Sequence, residues 1–139
     1  MMISTKGRYA LHVMLDIASQ PKEEYISLKA ISERQVISMK YLEAIVASLS
    51  KAGMLESLRG KSGGYRLNKP AAEYRVGDIV RIAEGSISPV SCLEETKGGC
   101  DRAGACLMLP MWQGLEKVVG EYLDSVSLED LLLHRLSDK

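Results

Sequence analysis

Net charge is the first thing this sequence lacks: Lys and Arg number 18, and so do Asp and Glu. A balance of zero gives, by itself, no sign of a polyanionic partner. No apolar run is long enough to cross a bilayer, and Asp16 interrupts the most hydrophobic early stretch, which argues against a membrane-spanning helix. No signal peptide is visible, so a cytoplasmic protein is expected. Cysteine is scarce. Three residues, an odd number in a chain without an export signal, argue against a disulfide framework. Internal repeats and low-complexity tracts are absent, and 139 residues suffice for one domain with a proper core and an extension. No nucleophile–base pair stands out, and Gly60-Lys61-Ser62 lacks the upstream glycine of a phosphate-binding loop. An enzyme is not expected.

What is present is unevenly distributed. Residues 1–70 hold eleven Lys/Arg against six Asp/Glu, whereas residues 71–139 hold seven against twelve. A basic half and an acidic half orient a molecule on a polyanion. The basic half also holds the most organised stretch, Ser27 to Tyr65. Ser27 suits a helix N-cap, with Leu28 and Ile31 turned inward. Gln35-Val36-Ile37 makes a turn, and Ser38 caps a second helix. There Tyr41, Leu42, Ile45, Val46 and Leu49 form a one-sided stripe. Gly53 closes it. The runs 54–58 and 64–67 then flank Arg59-Gly60-Lys61-Ser62-Gly63, a hairpin with a basic, glycine-rich tip. Helix, turn, helix and basic hairpin spell a winged helix-turn-helix. The alternative is ordinary packing in a small α+β domain. Against it stands the face opposite the stripe, where Ser38, Lys40, Glu43 and Ala44 are small or polar at the helix start, as in helices that read base edges.

Taken in order, Ser4-Thr5-Lys6-Gly7-Arg8 precede a first helix striped by Tyr9, Ala10, Val13, Met14, Ile17 and Ala18, with Leu11 and Leu15 toward another side and Pro21 at its end. After the hairpin, Val76, Ile79, Val80 and Ala83 make a short helix stopped by Gly85. Residues 86–106 are polar, bent by glycines, and contain every cysteine, as Cys92-x7-Cys100-x5-Cys106. Thiolates gathered in such a loop suit a soft metal or an iron–sulfur cluster. Zinc with one further ligand and redox-active thiols are the competing readings. From near Leu107 a long helix begins, with Pro110 tolerable only in its first turn. Met108, Leu115 and Tyr122 recur every seven residues beside Met111 and Val118, a short coiled-coil-like seam whose economical partner is a second copy. Trp112 and Val126 continue its apolar pattern, and Ser127 to Asp130 is a capping box opening a last short helix.

These stretches together resemble the Rrf2 family of bacterial winged-helix regulators, which includes IscR-like and NsrR-like members. The resemblance rests on Ser4-Thr-Lys-Gly-Arg-Tyr-Ala, Ile31-Ser-Glu-Arg-Gln, Tyr41-Leu-Glu, Arg59-Gly with Gly63-Gly-Tyr, Val76-Gly-Asp and the cysteine loop, in order over nearly the whole chain. It implies a homodimer built on the long C-terminal helix and a near-palindromic site on double-stranded DNA. It places the helix from Ser38 in the major groove, with Lys40 and Glu43 best placed for contacts and Tyr41 beside them, and Arg59 in the minor groove with Lys61 and Ser62 at the wing tip. It further implies that Cys92, Cys100 and Cys106 hold an iron–sulfur cluster, [2Fe–2S] favoured over [4Fe–4S]. The gap between Cys92 and Cys100 is longer than in IscR-like members, and two further departures stand out. IscR-like members carry a histidine where this chain has Leu109, and Ala44 replaces a polar residue of their reading helix. Other sensing members take the missing ligand from the partner's first helix, at the position of Arg8; His12, one turn on, is the candidate here, with Glu94, Glu95, Asp101 and solvent as alternatives.

The expected fold is therefore mainly α, with a minor β component (α+β). A winged helix-turn-helix domain occupies residues 1–85, a sensor loop 86–106, and a dimerisation helix and tail 107–139. The expected function is a DNA-binding transcriptional repressor sensing iron–sulfur or redox status. A cluster-free regulator acting by thiol chemistry or a partner enzyme is the alternative. An iron–sulfur electron carrier ranks third, because it leaves the reading helix and basic hairpin without a role.

Overall fold

The computed structural model describes residues 3–90, 93 and 106–136. Helix α1 (Thr5–Ala18) is followed by α2 (Leu28–Gln35), α3 (Met39–Lys51), strands β1 (Leu55–Leu58) and β2 (Gly64–Leu67), α4 (Val76–Glu84), α5 (Leu109–Asp124) and α6 (Leu128–Leu132). The strands pair antiparallel, Leu55 opposite Leu67 and Leu58 opposite Gly64. Mainly helical architecture with one small hairpin is the expected class.

Most of the helix starts have a chemical reason. The Ser4, Ser27 and Ser38 hydroxyls accept backbone N–H groups of Lys6, Ala30 and Tyr41, at 3.2, 3.1 and 3.3 Å. Ser127 and Asp130 complete the expected capping box, each side chain accepting the other's N–H at 3.0 Å. Pro110 sits in the first turn of α5, where its missing N–H leaves no carbonyl unpaired. The core lies where α1, α3 and α4 meet. Val13, Met14, Ile31, Leu42, Leu49, Ile79 and Leu128 are almost wholly excluded from water.

Three expectations need correction. Helix α1 begins at Thr5, before the Gly-Arg pair, because Ser4 caps it and Gly7 meets the Glu84 carboxylate of α4 so closely that a Cβ would collide. Tyr41 is not buried with its stripe: it is 37% exposed and meets the Tyr9 ring edge-on at 5.4 Å. Val126 lies beyond the end of α5 rather than continuing its apolar pattern. Its carbonyl accepts the Val76 N–H at 2.9 Å, and its side chain joins Val76, Val80 and Ile87 in a second small core.

Candidate nucleic-acid interface

The helix-turn-helix is α2, a three-residue turn and α3. Val36 ends α2 with φ 56°, a left-handed conformation that a β-branched residue rarely adopts, and its side chain is 86% exposed. Ile37 is buried beneath it, with its carbonyl bonded to the Ser32 hydroxyl. The turn thus delivers Ser38 at the mouth of α3. One face of α3, Leu42, Ile45, Val46 and Leu49, is buried at 3% exposure or less. The other presents Ser38, Lys40, Tyr41, Glu43 and Ala44 to solvent. Met39, which no sequence pattern flags, is also exposed at the first helical position.

Behind this surface, α1 supplies a ring that packs against it. Tyr9 touches both Tyr41 and His12, the latter edge-on at 6.5 Å. Asp16, buried in α1, accepts hydrogen bonds from Arg34 and Gln35 at the end of α2.

The wing brings a second exposed group. Leu58 to Ser62 are all solvent-exposed, so Arg59, Lys61 and Ser62 share the tip. Gly60 turns the chain at φ 110°, and the Gly63 N–H closes on its carbonyl at 3.0 Å. At the wing's base, Gly64 passes so close to Ile26 that a Cβ would strike its carbonyl, and Ile26 pairs with Tyr65 through backbone bonds of 2.8 and 2.9 Å. Below it the buried Tyr74 hydroxyl accepts from the Asn68 N–H at 2.8 Å and shares its hydrogen between the Met54 carbonyl and Asn68 Oδ1. Burial pushes the Tyr74 phenol up, against the opposing bonds from Asn68 and Lys69. Arg66 pairs with Glu56 at 2.7 Å while lying over the Tyr25 ring. The wing's stem is thus charge-balanced, whereas Lys40, Arg59 and Lys61 form no ion pair among the described residues.

The remaining expected sites divide. Met108, Met111, Leu115, Val118 and Tyr122 are all 42–63% exposed, so the described residues leave the seam of α5 largely uncovered. Arg81 of α4 grips Asp124 at the end of α5 through two bonds of 2.8 and 3.1 Å, and Ser88 donates to Glu116 at 2.7 Å. Cys106 is half-buried just before α5 and is a free thiol; its carbonyl accepts the Leu109 N–H. Cys92 and Cys100 lie outside the described residues, as do Glu94, Glu95 and Asp101. Arg8 and His12 are exposed on α1, and Arg8 donates to the Thr5 hydroxyl at 3.2 Å. Among the described residues no three His, Cys, Asp or Glu side chains are grouped to hold a metal ion, and no helix is long and apolar enough to cross a membrane.

A helix-turn-helix whose second helix keeps one polar face open, followed by a hairpin with a cationic tip, defines a winged-helix DNA-binding protein. The sequence narrows that class. Residues 3–134 match the model of the Rrf2 family, described as an iron-dependent transcriptional regulator, and the chain belongs to that family. It is 38% identical over 133 residues to the HTH-type transcriptional regulator IscR of Aliivibrio salmonicida, covering 96% of this chain and 78% of that one. Among solved structures it is similar to CymR, the global cysteine regulator of B. subtilis, at 39% identity and TM-score 0.72, covering 96% of this chain and 98% of that one. It is also similar to T. potens IscR, at 37% identity and TM-score 0.73, covering 100% and 91%. The protein is thus an Rrf2-type transcriptional regulator.

Proposed function

We propose that this regulator binds a near-palindromic operator as a homodimer, acts as a repressor, and senses iron–sulfur or redox status through its three cysteines. The observation that carries the DNA part is the pairing of two exposed surfaces, the start of α3 and the wing tip, whose cations form no ion pair among the described residues. Ser38, Lys40, Tyr41 and Glu43 then face base edges and phosphates in the major groove. Arg59 enters the neighbouring minor groove, with Lys61 and Ser62 on the backbone. The exposed seam of α5 supports the dimer, since a second copy covers Met111, Leu115, Val118 and Tyr122 and places two reading helices on two half-sites.

The donor set suits an iron–sulfur cluster: three thiols in one segment, with Cys106 half-buried and free. When bound, the cluster supplies a redox- and iron-responsive charge at the entry to α5. Cys92, Cys100 and Cys106 hold it from this chain, and His12 is the candidate fourth ligand from the partner. The similarity to a cysteine regulator favours the second reading, a cluster-free thiol or partner-enzyme switch on the same DNA-binding frame.

Anaerobic reconstitution with iron and sulfide separates the two readings. Visible absorbance that disappears in Cys100→Ala and Cys106→Ala supports the cluster. His12→Ala then shifts the spectrum and speeds loss to chelator if the imidazole is a ligand, and leaves both unchanged if it is a surface residue. A colourless parent overturns the cluster in favour of the thiol switch.

A further inference from the structure

Asp16 is a charged side chain 2% exposed in the middle of α1, and burial of an unpaired carboxylate is strongly unfavourable. It is fully engaged. Arg34 donates from Nε to Oδ2 at 3.0 Å and from Nη2 to Oδ1 at 2.7 Å, a bidentate pair, and Gln35 Nε2 adds a third bond to Oδ2 at 2.8 Å. Both donors are the last two residues of α2. The next residue is Val36, held at φ 56° with its side chain almost free of contacts, and two residues further on α3 opens at its Ser38 cap.

A β-branched residue stays in the left-handed region only where its surroundings over-determine the backbone. On the exposed side nothing holds Val36. On the other side the Asp16 bonds fix the two residues before it, and the Ser32 hydroxyl holds the residue after it through the Ile37 carbonyl. The direction of α3 relative to α1 is therefore set at a strained hinge with a clamp on its near side.

We infer that Asp16 is a positioning residue for DNA reading: by gripping Arg34 and Gln35 it fixes the turn at Val36 and hence the angle at which α3 meets base edges. The inference rests on α3 being the reading helix. Phosphate contacts tolerate small changes of angle because charges act over several ångströms, whereas bidentate base contacts do not. Loss of the clamp therefore removes discrimination between sequences while leaving sequence-independent binding and its salt dependence in place.

The test uses the full chain, a duplex recovered from a randomised pool by the parent protein, and an unrelated duplex of equal length at the same salt. Binding is measured by fluorescence anisotropy, well below each variant's melting temperature. Asp16→Asn turns one acceptor oxygen into a donor facing Arg34 or Gln35 and removes the charge. It should weaken binding to the recovered duplex at least tenfold and to the unrelated duplex less than twofold. Gln35→Ala, which keeps the ion pair, is the milder variant if Asp16→Asn does not fold, and should give a smaller loss with the same selectivity. Equal weakening on both duplexes, or unaltered discrimination in Asp16→Asn and Gln35→Ala, overturns the positioning role. A parent that recovers no preferred duplex overturns the DNA reading itself, and this inference with it.

Discussion

At the scale of single residues the structure separates side chains that hold the fold from those the fold leaves unused. Arg59 belongs to the second group, exposed at the wing tip without an ion-pair partner among the described residues. A guanidinium placed in a narrow minor groove meets an enhanced negative potential. Arg59→Ala is expected to weaken operator binding by about 1–3 kcal/mol with no loss of fold. A gel-shift titration at fixed salt that shows parent-like affinity removes Arg59 from the interface. Glu84 belongs to the first group. Its carboxylate accepts the Ser4 hydroxyl at 2.6 Å and the Ser4 and Gly7 N–H groups at 2.8 and 2.9 Å, tying α4 to the start of α1. Burial pushes this carboxyl up, but those bonds and the charge of Lys6 outweigh burial and hold it below its ordinary 4.5. Asp124 is likewise held below its ordinary 3.8, by the Arg81 hydrogen bonds against a smaller effect of burial. A carboxyl lowered by folding stabilises the protein above its unfolded pKa, and the contribution fades as pH falls through the lowered value. Thermal stability should thus decline from about pH 5 downward. Glu84→Gln should cost about 1–2 kcal/mol at pH 7 and progressively less as pH falls from the ordinary value through the lowered one. A gap between parent and variant melting curves that stays constant with pH contradicts this role.

At the scale of elements, α5 carries the clearest expectation. Leu115 is 42% exposed at the centre of a seam whose other members are more exposed still. Leu115→Glu sets like charges against each other across a two-fold seam, and is expected to give a monomer by light scattering and to reduce operator binding more than about tenfold. A variant that remains a dimer shows that α5 pairs through another face. Elements are also where the sequence speaks most clearly. The helix-turn-helix, the wing and the last capping box are legible because each is written locally, in serine caps, a helical stripe and glycines at the tip. Features decided by distant partners are not. Gly7 reads as part of the stretch before the first helix until Glu84, 77 residues along the chain, is seen to occupy the space a Cβ would need. The apolar spacing of α5 runs on to Val126, but the Val76 N–H draws that residue out of the helix and into the core. Val36 gives no hint of its left-handed backbone, since valine is a poor residue for it. The Asp16 clamp joins helices through residues 18 and 19 apart with no periodic signature. In the cysteine segment the order of thiols was legible, but Cys92 and Cys100 lie outside the described residues, so their reading rests on residue type and family membership.

At the scale of the whole molecule, the uneven charge of the two halves acquires a direction. The surplus of Lys and Arg lies in residues 1–70, which hold α3 and the wing, and the surplus of Asp and Glu lies in 71–139, which hold α5 and α6. In the proposed dimer through α5, two basic surfaces would face DNA, and the segment from Ser86 to Cys106 would join α4 to the start of the helix proposed to pair. Hydroxyl-radical footprinting of the protein on a duplex selected from a randomised pool tests this arrangement most directly. The account predicts two protected half-sites related by a dyad, with centres about 10 base pairs or a multiple apart, and minor-groove protection beside each that fades in Arg59→Ala. Protection of a single half-site, or none on any selected duplex, would contradict it.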